Sequence, residues 1–310
     1  MPFPPETGSV PRKLALGFEL LAGASFVLIV FGAIVRAEGA GLACPDWPLC
    51  FGRWVPSFNA KVALEWGHRV LAGALTLGLA LMTFLVIRSP SGPRITRGLG
   101  FAWVLITVQI VLGGLTVLLG LAPWTVTAHL LVGNLFCALL LWLSRDVRWG
   151  HIKGGAIPPL ARSLVIVTTL LLGLQITLGG LVSSHVAGLA CARFPTCDGI
   201  AWIPTLEGPV GLHVVHRLGA YTLALGYVAL AIVGRQVESI GRLAWIAVSL
   251  VVIQVGIGAA NVLSGLPVEV TALHSAMAAG LVLITALMLR VAVQSVGVSV
   301  SGAAEPAHVP

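Results

Sequence analysis

The sequence predicts an all-α membrane protein: eight transmembrane helices forming two tandem four-helix bundles, related by a pseudo-two-fold axis along the membrane normal. Three observations predict it. Of the 310 residues, 57% are apolar and 9% charged, against the roughly 25% charged typical of soluble domains. Apolar runs near the ~20 residues needed to cross a bilayer recur along the whole chain. The chain also repeats itself. Gly41-Leu42-Ala43-Cys44 returns as Gly188-Leu189-Ala190-Cys191 and Cys50 as Cys197, both at an offset of 147 (191 − 44, 197 − 50). His68 returns as His216 and His129 as His274, at offsets of 148 and 145 (216 − 68, 274 − 129). A near-constant offset over four landmarks marks a tandem duplication.

The elements follow in order. Met1–Val10 is polar and Pro-rich and lacks the small-residue cleavage pattern of a signal peptide. Helix 1 is expected at about Ala15–Val35, with Glu19 interfacial, and helix 2 at about Glu65–Ile87. Helix 3, about Leu99–Leu121, carries Gln109 and Gly113; helix 4, about Thr125–Leu143, carries His129 and a packing cysteine, Cys137. The second copy repeats this with helices at about Ser163–Val182, Leu212–Val233, Leu243–Leu263 and Val270–Val291. Four helices per copy, an even number, give both copies one orientation. The domains are accordingly 1–150 and 151–310.

Charge sets that orientation. Arg12, Lys13, Arg88, Arg94, Arg97, Arg145, Arg148, Lys153, Arg162, Arg235, Arg242 and Arg290 fall on one side. Only Arg36, Arg53, Lys61 and Arg193 fall in loops on the other. By the positive-inside rule both termini are cytoplasmic. The net charge of +7 is thus a topology signal. No basic patch interleaved with aromatics points to nucleic acid, and no P-loop or dinucleotide-binding glycine motif appears.

Two long external loops remain, about Arg36–Leu64 and Ser183–Gly211, each with a C-x5-C pair: Cys44 with Cys50 and Cys191 with Cys197. On an oxidising face such pairs read as local disulfides. Zinc fits less well, because its sites use tighter pairs with partner ligands.

The histidines carry the chemistry. Helices 2, 4, 6 and 8 run the same way, and His68, His129, His216 and His274 each lie within the first turn or two, so all four share one depth. A lone membrane histidine is more often an interhelical hydrogen-bonding group. Four at one depth, paired by the repeat, instead suggest two axial imidazoles for a haem in each half. Gln109 with Gln254 and Gly113 with Gly258 also match; the amides stitch helices together, and the glycines allow close approach or make room for a flat macrocycle.

Glu65-Trp66-Gly67-His68-Arg69 aligns with His213-Val214-Val215-His216-Arg217. Positions i and i+3 share a helical face, so Glu65 stands one turn above His68. Glu65 reads either as a helix-start carboxylate or as a chemical group, and the acid's absence from the second copy favours the latter. Arg69 and Arg217 suit haem propionates or the neighbouring acid. Arg36 is a further charge at the outer mouth, and His213 is either a propionate donor or a structural group.

Gly32-Ala33-Ile34-Val35-Arg36, Cys44-Pro45-Asp46-Trp47-Pro48-Leu49-Cys50, Glu65-x-x-His68-Arg69 and His213-x-x-His216-Arg217 resemble the haem A synthase family over all eight helices. The resemblance implies oxidation of the C8 methyl of haem O to the formyl group of haem A, by two hydroxylations and a dehydration. It implies that His68 and His129 ligate haem O, that His216 and His274 hold the iron of a haem b, and that Glu65 is the catalytic acid. It further implies a haem O synthase (a farnesyltransferase) upstream, cytochrome oxidase assembly downstream, and a prokaryotic plasma membrane as the location. Glu38, where relatives usually have threonine, departs from the pattern. Two other classes compete: a dihaem b-type electron-transfer cytochrome, which would have near-equivalent halves, and a transporter, which would have helices broken near mid-bilayer.

Overall fold

The computed structural model describes residues 9–89, 92–149 and 157–294; Lys153 and most of Met1–Val10 lie outside these, and no side-chain statement attaches to Arg94. Among the described residues eight helices are long and apolar enough to cross a membrane. They are α1 (Ser9–Ala37), α2 (Ala60–Ile87), α3 (Gly92–Leu118), α4 (Pro123–Trp149), α5 (Pro159–Ser184), α6 (Gly208–Gly234), α7 (Glu238–Leu263) and α8 (Val268–Gln294). At 1.5 Å per residue each is roughly 40 Å long, enough for the ~30 Å hydrocarbon core. Their outward faces are apolar: Leu77, Leu170 and Leu225 are each about 70% exposed, as lipid rather than water demands. The chain is a multi-pass membrane protein.

The helices overrun their apolar runs. Asn59 caps α2 six residues before Glu65, its Oδ1 accepting the N–H of Val62 at 3.0 Å. Pro159 and Pro209 stand in the first turns of α5 and α6, where a missing N–H costs nothing. His68 and His216 are therefore ninth in their helices, and His129 and His274 seventh, about a turn further from the helix start than hydropathy alone suggests for the first pair and about half a turn for the second. In the other direction α3 stops at Leu118, not Leu121. The next turn reverses through Gly120 and Leu121 at positive φ, and α7 ends the same way at Gly265 and Leu266. These turns close by Leu121 N–H to Thr116 O at 2.7 Å and Leu266 N–H to Asn261 O at 2.8 Å.

Two separate apolar cores form, one drawn only from α1–α4 around Phe18, Leu79, Phe136 and Leu140, the other from the second half around Tyr227, Leu230, Leu281 and Met288. Between them α1 packs on α8, α5 on α4, and α4 on α8. Exchanging each helix for its repeat-mate leaves that set of contacts unchanged. Where α4 crosses α8, Arg290 pairs with Asp146 at 2.8 Å and Gln294 Nε2 donates to the same carboxylate at 2.9 Å. Sequence reading had left Asp146 without a role.

The halves differ at two seams. α1 and α4 pack together more extensively than α5 and α8 do. α6 and α7 pack along each other, whereas α2 and α3 touch sparsely. A hydrogen bond from Trp103 Nε1 to Thr83 Oγ1, 2.9 Å, ties α2 to α3.

Candidate functional site

Each of the four histidines lies against a glycine of the neighbouring helix. A Cβ on Gly32 of α1 would stand 3.1 Å from His68 Cε1, and one on Gly179 of α5 would stand 3.1 Å from His216 Cε1. The corresponding distances are 3.2 Å from Gly113 of α3 to His129 and 3.0 Å from Gly258 of α7 to His274. Any larger residue would push the ring aside, so the glycines let an imidazole lie flush on the adjacent backbone. The two histidines of each half sit on diagonally placed helices, α2 with α4 and α6 with α8, within electrostatic reach of each other. Gly113 and Gly258 were legible from the repeat. Gly179, which matches Gly32 at the loop offset of 147 (179 − 32), passed unnoticed among many glycines.

The amides support the rings. Gln109 Nε2 lies 3.3 Å from His129 Nε2, and Gln254 Nε2 donates to the His274 carbonyl at 2.9 Å. Gln175 lies 3.1 Å from His216 Nδ1 and also donates to the His216 carbonyl at 2.9 Å. The repeat gave no sign of Gln175, because Leu28 stands at its place in the first copy (175 − 28 = 147).

Above the rings the two loops are built alike. Both C-x5-C pairs are disulfides, Cys44–Cys50 and Cys191–Cys197, and Cys137 is buried and free. Arg69 donates to the carbonyls of Cys44, Asp46 and Leu49, at 3.2, 2.7 and 2.7 Å. Arg217 does the same for Cys191, Arg193 and Thr196, at 2.7, 2.9 and 3.2 Å. The three carbonyls correspond one for one at an offset of 147. Each arginine fastens a disulfide loop over its bundle, and of the partners open to Arg69 the acid is the one it meets: Arg69 Nη2 to Glu65 Oε1, 2.6 Å. Asp46 closes the first loop further, accepting the N–H of Phe51 at 2.6 Å and of Gly52 at 2.8 Å. The Gly52 bond is the chief reason its carboxyl titrates below its ordinary value.

Glu65 is buried beneath this loop, its other oxygen accepting the Cys44 N–H at 3.3 Å. His213, in the matching place, is also buried, with Nδ1 3.0 Å from the Ala187 carbonyl. One position thus carries a carboxylate in the first half and an imidazole bound to the backbone in the second. Arg36, one helical turn beyond Gly32, donates its guanidinium to the carbonyl of Ser183 at the end of α5. Trp47 of the first loop reaches across to α3, 3.0 Å from where a Cβ on Gly114 would be.

These residues fit haem. Among the described residues no cluster of three or more His, Cys, Asp or Glu could hold a bare metal ion. Two imidazoles per half suffice only if a macrocycle supplies the remaining nitrogens. Nδ1 of His68, His129 and His274 is buried without a protein partner, an arrangement that otherwise costs free energy, and the glycines leave the rings room to orient.

Comparison with known proteins shows the family. A family model described as cytochrome oxidase assembly protein matches residues 18–287, a span reaching from α1 into α8. A haem A synthase of Shewanella oneidensis is 31% identical over 87% of this chain and 92% of its own length. Those of Halalkalibacterium halodurans and Rhizorhabdus wittichii are 28% and 26% identical, over 85% and 86% of this chain and 92% and 90% of theirs. With both ends of the duplication inside the match, the chain belongs to the haem A synthase family of cytochrome oxidase assembly proteins.

Proposed function

We propose that this protein is a haem A synthase, a membrane oxidoreductase that converts the C8 methyl of haem O into the formyl group of haem A. The half spanning 1–150 takes haem O between His68 and His129, and the half spanning 151–310 keeps a haem b on His216 and His274. The observation that carries this division is a matched position one turn from the ligand histidines where the halves differ in chemistry: Glu65 against His213, each buried beneath an equivalent disulfide loop. Equivalent halves would suit an electron carrier, and the haem A synthase relatives do not favour that reading.

In this reading the bound haem b supplies redox chemistry, and the chain supplies binding and proton handling. Two successive hydroxylations, each in net terms adding the oxygen of water and passing two electrons and two protons to an acceptor outside the chain, turn the methyl into a geminal diol, which loses water to give the aldehyde. Removing methyl hydrogens requires a group that can accept or stabilise a proton beside the ring. Glu65 is that group, one helical turn from His68. Arg69 and the Cys44 N–H fix its two oxygens, so the carboxylate is oriented before substrate arrives. His129 and His68 clamp the substrate from opposite sides, and Gly32 and Gly113 keep both rings free to align.

The charge asymmetry supports an orientation with both termini cytoplasmic and the disulfide loops outside, and the bacterial relatives support a prokaryotic plasma membrane. A farnesyltransferase making haem O then acts upstream, and assembly of a haem-A-containing oxidase follows.

Pigment extraction tests the proposal. The purified protein should yield haem b together with haem O, its alcohol or haem A. Haem b alone, at two per chain and reduced reversibly, would support the electron carrier instead.

A further inference from the structure

We propose that the seam between α2 and α3 is a slot for the isoprenoid tail of haem O. This rests on the reading above, in which the first half takes haem O and the second haem b. The two ligands differ in one way that matters to a bundle. Haem b carries only short substituents, whereas haem O carries a long farnesyl-derived chain. A tail of that size cannot fold into a packed four-helix core and must leave between two helices. Only the first half needs such an exit, and its α2–α3 seam is the sparsest between neighbouring helices of either half.

The residues say where it opens. Thr83 bonds to Trp103 of α3 at 2.9 Å, so the face of α2 bearing Thr83 is the one turned to α3. Gly73, Thr76 and Ala80 share that face at i, i+3 and i+4 spacings. Gly73 and Ala80 are nonetheless exposed, and nothing lies within 4 Å of a Cβ placed on Gly73. In α6 the same places hold Tyr221 and Val228 (221 − 73 and 228 − 80, both 148), and both are partly buried. Tyr221 lines a small recess with Val214, Arg217 and Leu218 of its own helix and Trp202 of the overlying loop.

The window has limits at both ends. Toward the histidines, Trp47 lies on Gly114 of α3; in the second copy Ala259 takes the place of Gly114 (259 − 114 = 145), and Phe194, at Trp47's place, stacks on Arg217 instead. At the far end the Trp103–Thr83 bond shuts the seam. Gly73 is five residues beyond His68, about 7.5 Å along the helix, a distance comparable to the half-width of a porphyrin. A macrocycle held by His68 and His129 would therefore present its edge to the window. Lipid tails outside are as apolar as the chain, so the slot needs clearance more than greasiness.

The test gives the first half the second half's residue. Gly73→Tyr projects into open space, so the fold should hold, with haem b in the second half as its check. Spectral titration of the purified variant should show haem O uptake weakened by about tenfold or more, a loss of about 1.4 kcal/mol. Protohaem IX, which has no tail, should titrate the His68–His129 site as in the wild type. A benzophenone amino acid at Ala80 should give a photo-adduct carrying the mass of haem O, and none with protohaem. Unchanged haem O uptake in Gly73→Tyr, or equal loss of both haems, overturns the slot. A wild-type protein whose haem O uptake is indifferent to His68→Ala and His129→Ala overturns the functional reading, and the slot with it.

Discussion

Arg36 donates its guanidinium to the carbonyl of Ser183, the residue that occupies Arg36's own place in the second copy (183 − 36 = 147). Two residues related by a two-fold can touch only near the axis, so this contact marks where the halves turn about each other at the disulfide-loop end. Asp146 with Arg290 marks it at the other end, joining α4 to α8. The positive charge also lies at the C-terminal end of α5, where a cation is favoured.

Arg36→Ala should therefore loosen the two halves without emptying either haem site, lowering stability by about 1 kcal/mol. Thermal unfolding in detergent, followed separately at the two haem absorbances, reads this out. A variant that loses haem O binding specifically would return Arg36 to the substrate site.

The histidine–glycine contacts give a graded prediction. Gly179→Ala and Gly258→Ala each set a methyl about 3 Å from an imidazole carbon, so His216 or His274 must shift and its iron bond weaken. Haem b occupancy after purification should fall in both. Gly23→Ala, with nothing within 4 Å of the new carbon, should retain full occupancy. Full haem b in Gly179→Ala would mean that the ring has slack the geometry does not display.

How much of this was legible beforehand follows from what repeats. The helices, the four histidines and the disulfide pairs recur at nearly one offset, 145 to 148, so duplication exposed them. Asn59 and Pro209 set the starts of α2 and α6, which hydropathy windows do not register, so His68 and His216 stand about a turn further along their helices than the apolar runs suggest. Gln175, which has no repeat-mate, and the α2–α3 seam, which is a property of packing, left no mark in the pattern. Arg69 and Arg217 were recognised as a pair, but their loop carbonyls are backbone atoms that no side-chain motif encodes.

Acid should act on the first loop through Asp46. Its folded carboxyl titrates below its ordinary value, held there first by the Gly52 N–H. The carboxylate's contribution is therefore complete above the ordinary carboxylate value and is lost as pH falls through the depressed one. Amide exchange at Phe51 and Gly52 should stay slow at mildly acidic pH and quicken only below the usual carboxylate range. Asp46→Asn should show fast exchange at every pH; slow exchange in that variant would relieve Asp46 of the role.

Opening the first disulfide should reach further than opening the second. Cys44→Ser releases a short loop, costing about 2 kcal/mol, and that loop supplies the N–H bound by Glu65. Cys191→Ser frees a loop whose buried contact is His213 with Ala187, so turnover should survive better. Peptide mapping without reductant should first recover Cys44 with Cys50, Cys191 with Cys197, and Cys137 as a thiol. Equal loss of turnover in the two variants would show that the loops act only as staples.

Glu65→Gln is the sharpest test of the division between the halves. Glutamine keeps the length of the side chain and can still accept the Cys44 N–H, so the loop should remain seated. It cannot pair ionically with Arg69, which sits 2.6 Å from the carboxylate, nor take a proton from a reacting methyl group. The arginine keeps its three loop carbonyls, and this limits the structural damage. Haem b in the second half and haem O uptake in the first should both persist, while conversion falls by about a hundredfold or more, the usual contribution of a positioned acid or base. Extracted pigment should then be mostly haem O with some singly hydroxylated product. Glu65→Asp, which retains the charge on a shorter stem, should recover part of the activity if proton handling is the role, and none if the residue only holds the loop. Normal haem A formation by Glu65→Gln would reduce Glu65 to an anchor for Arg69, and the substitution of His213 in the second copy would carry no chemical meaning.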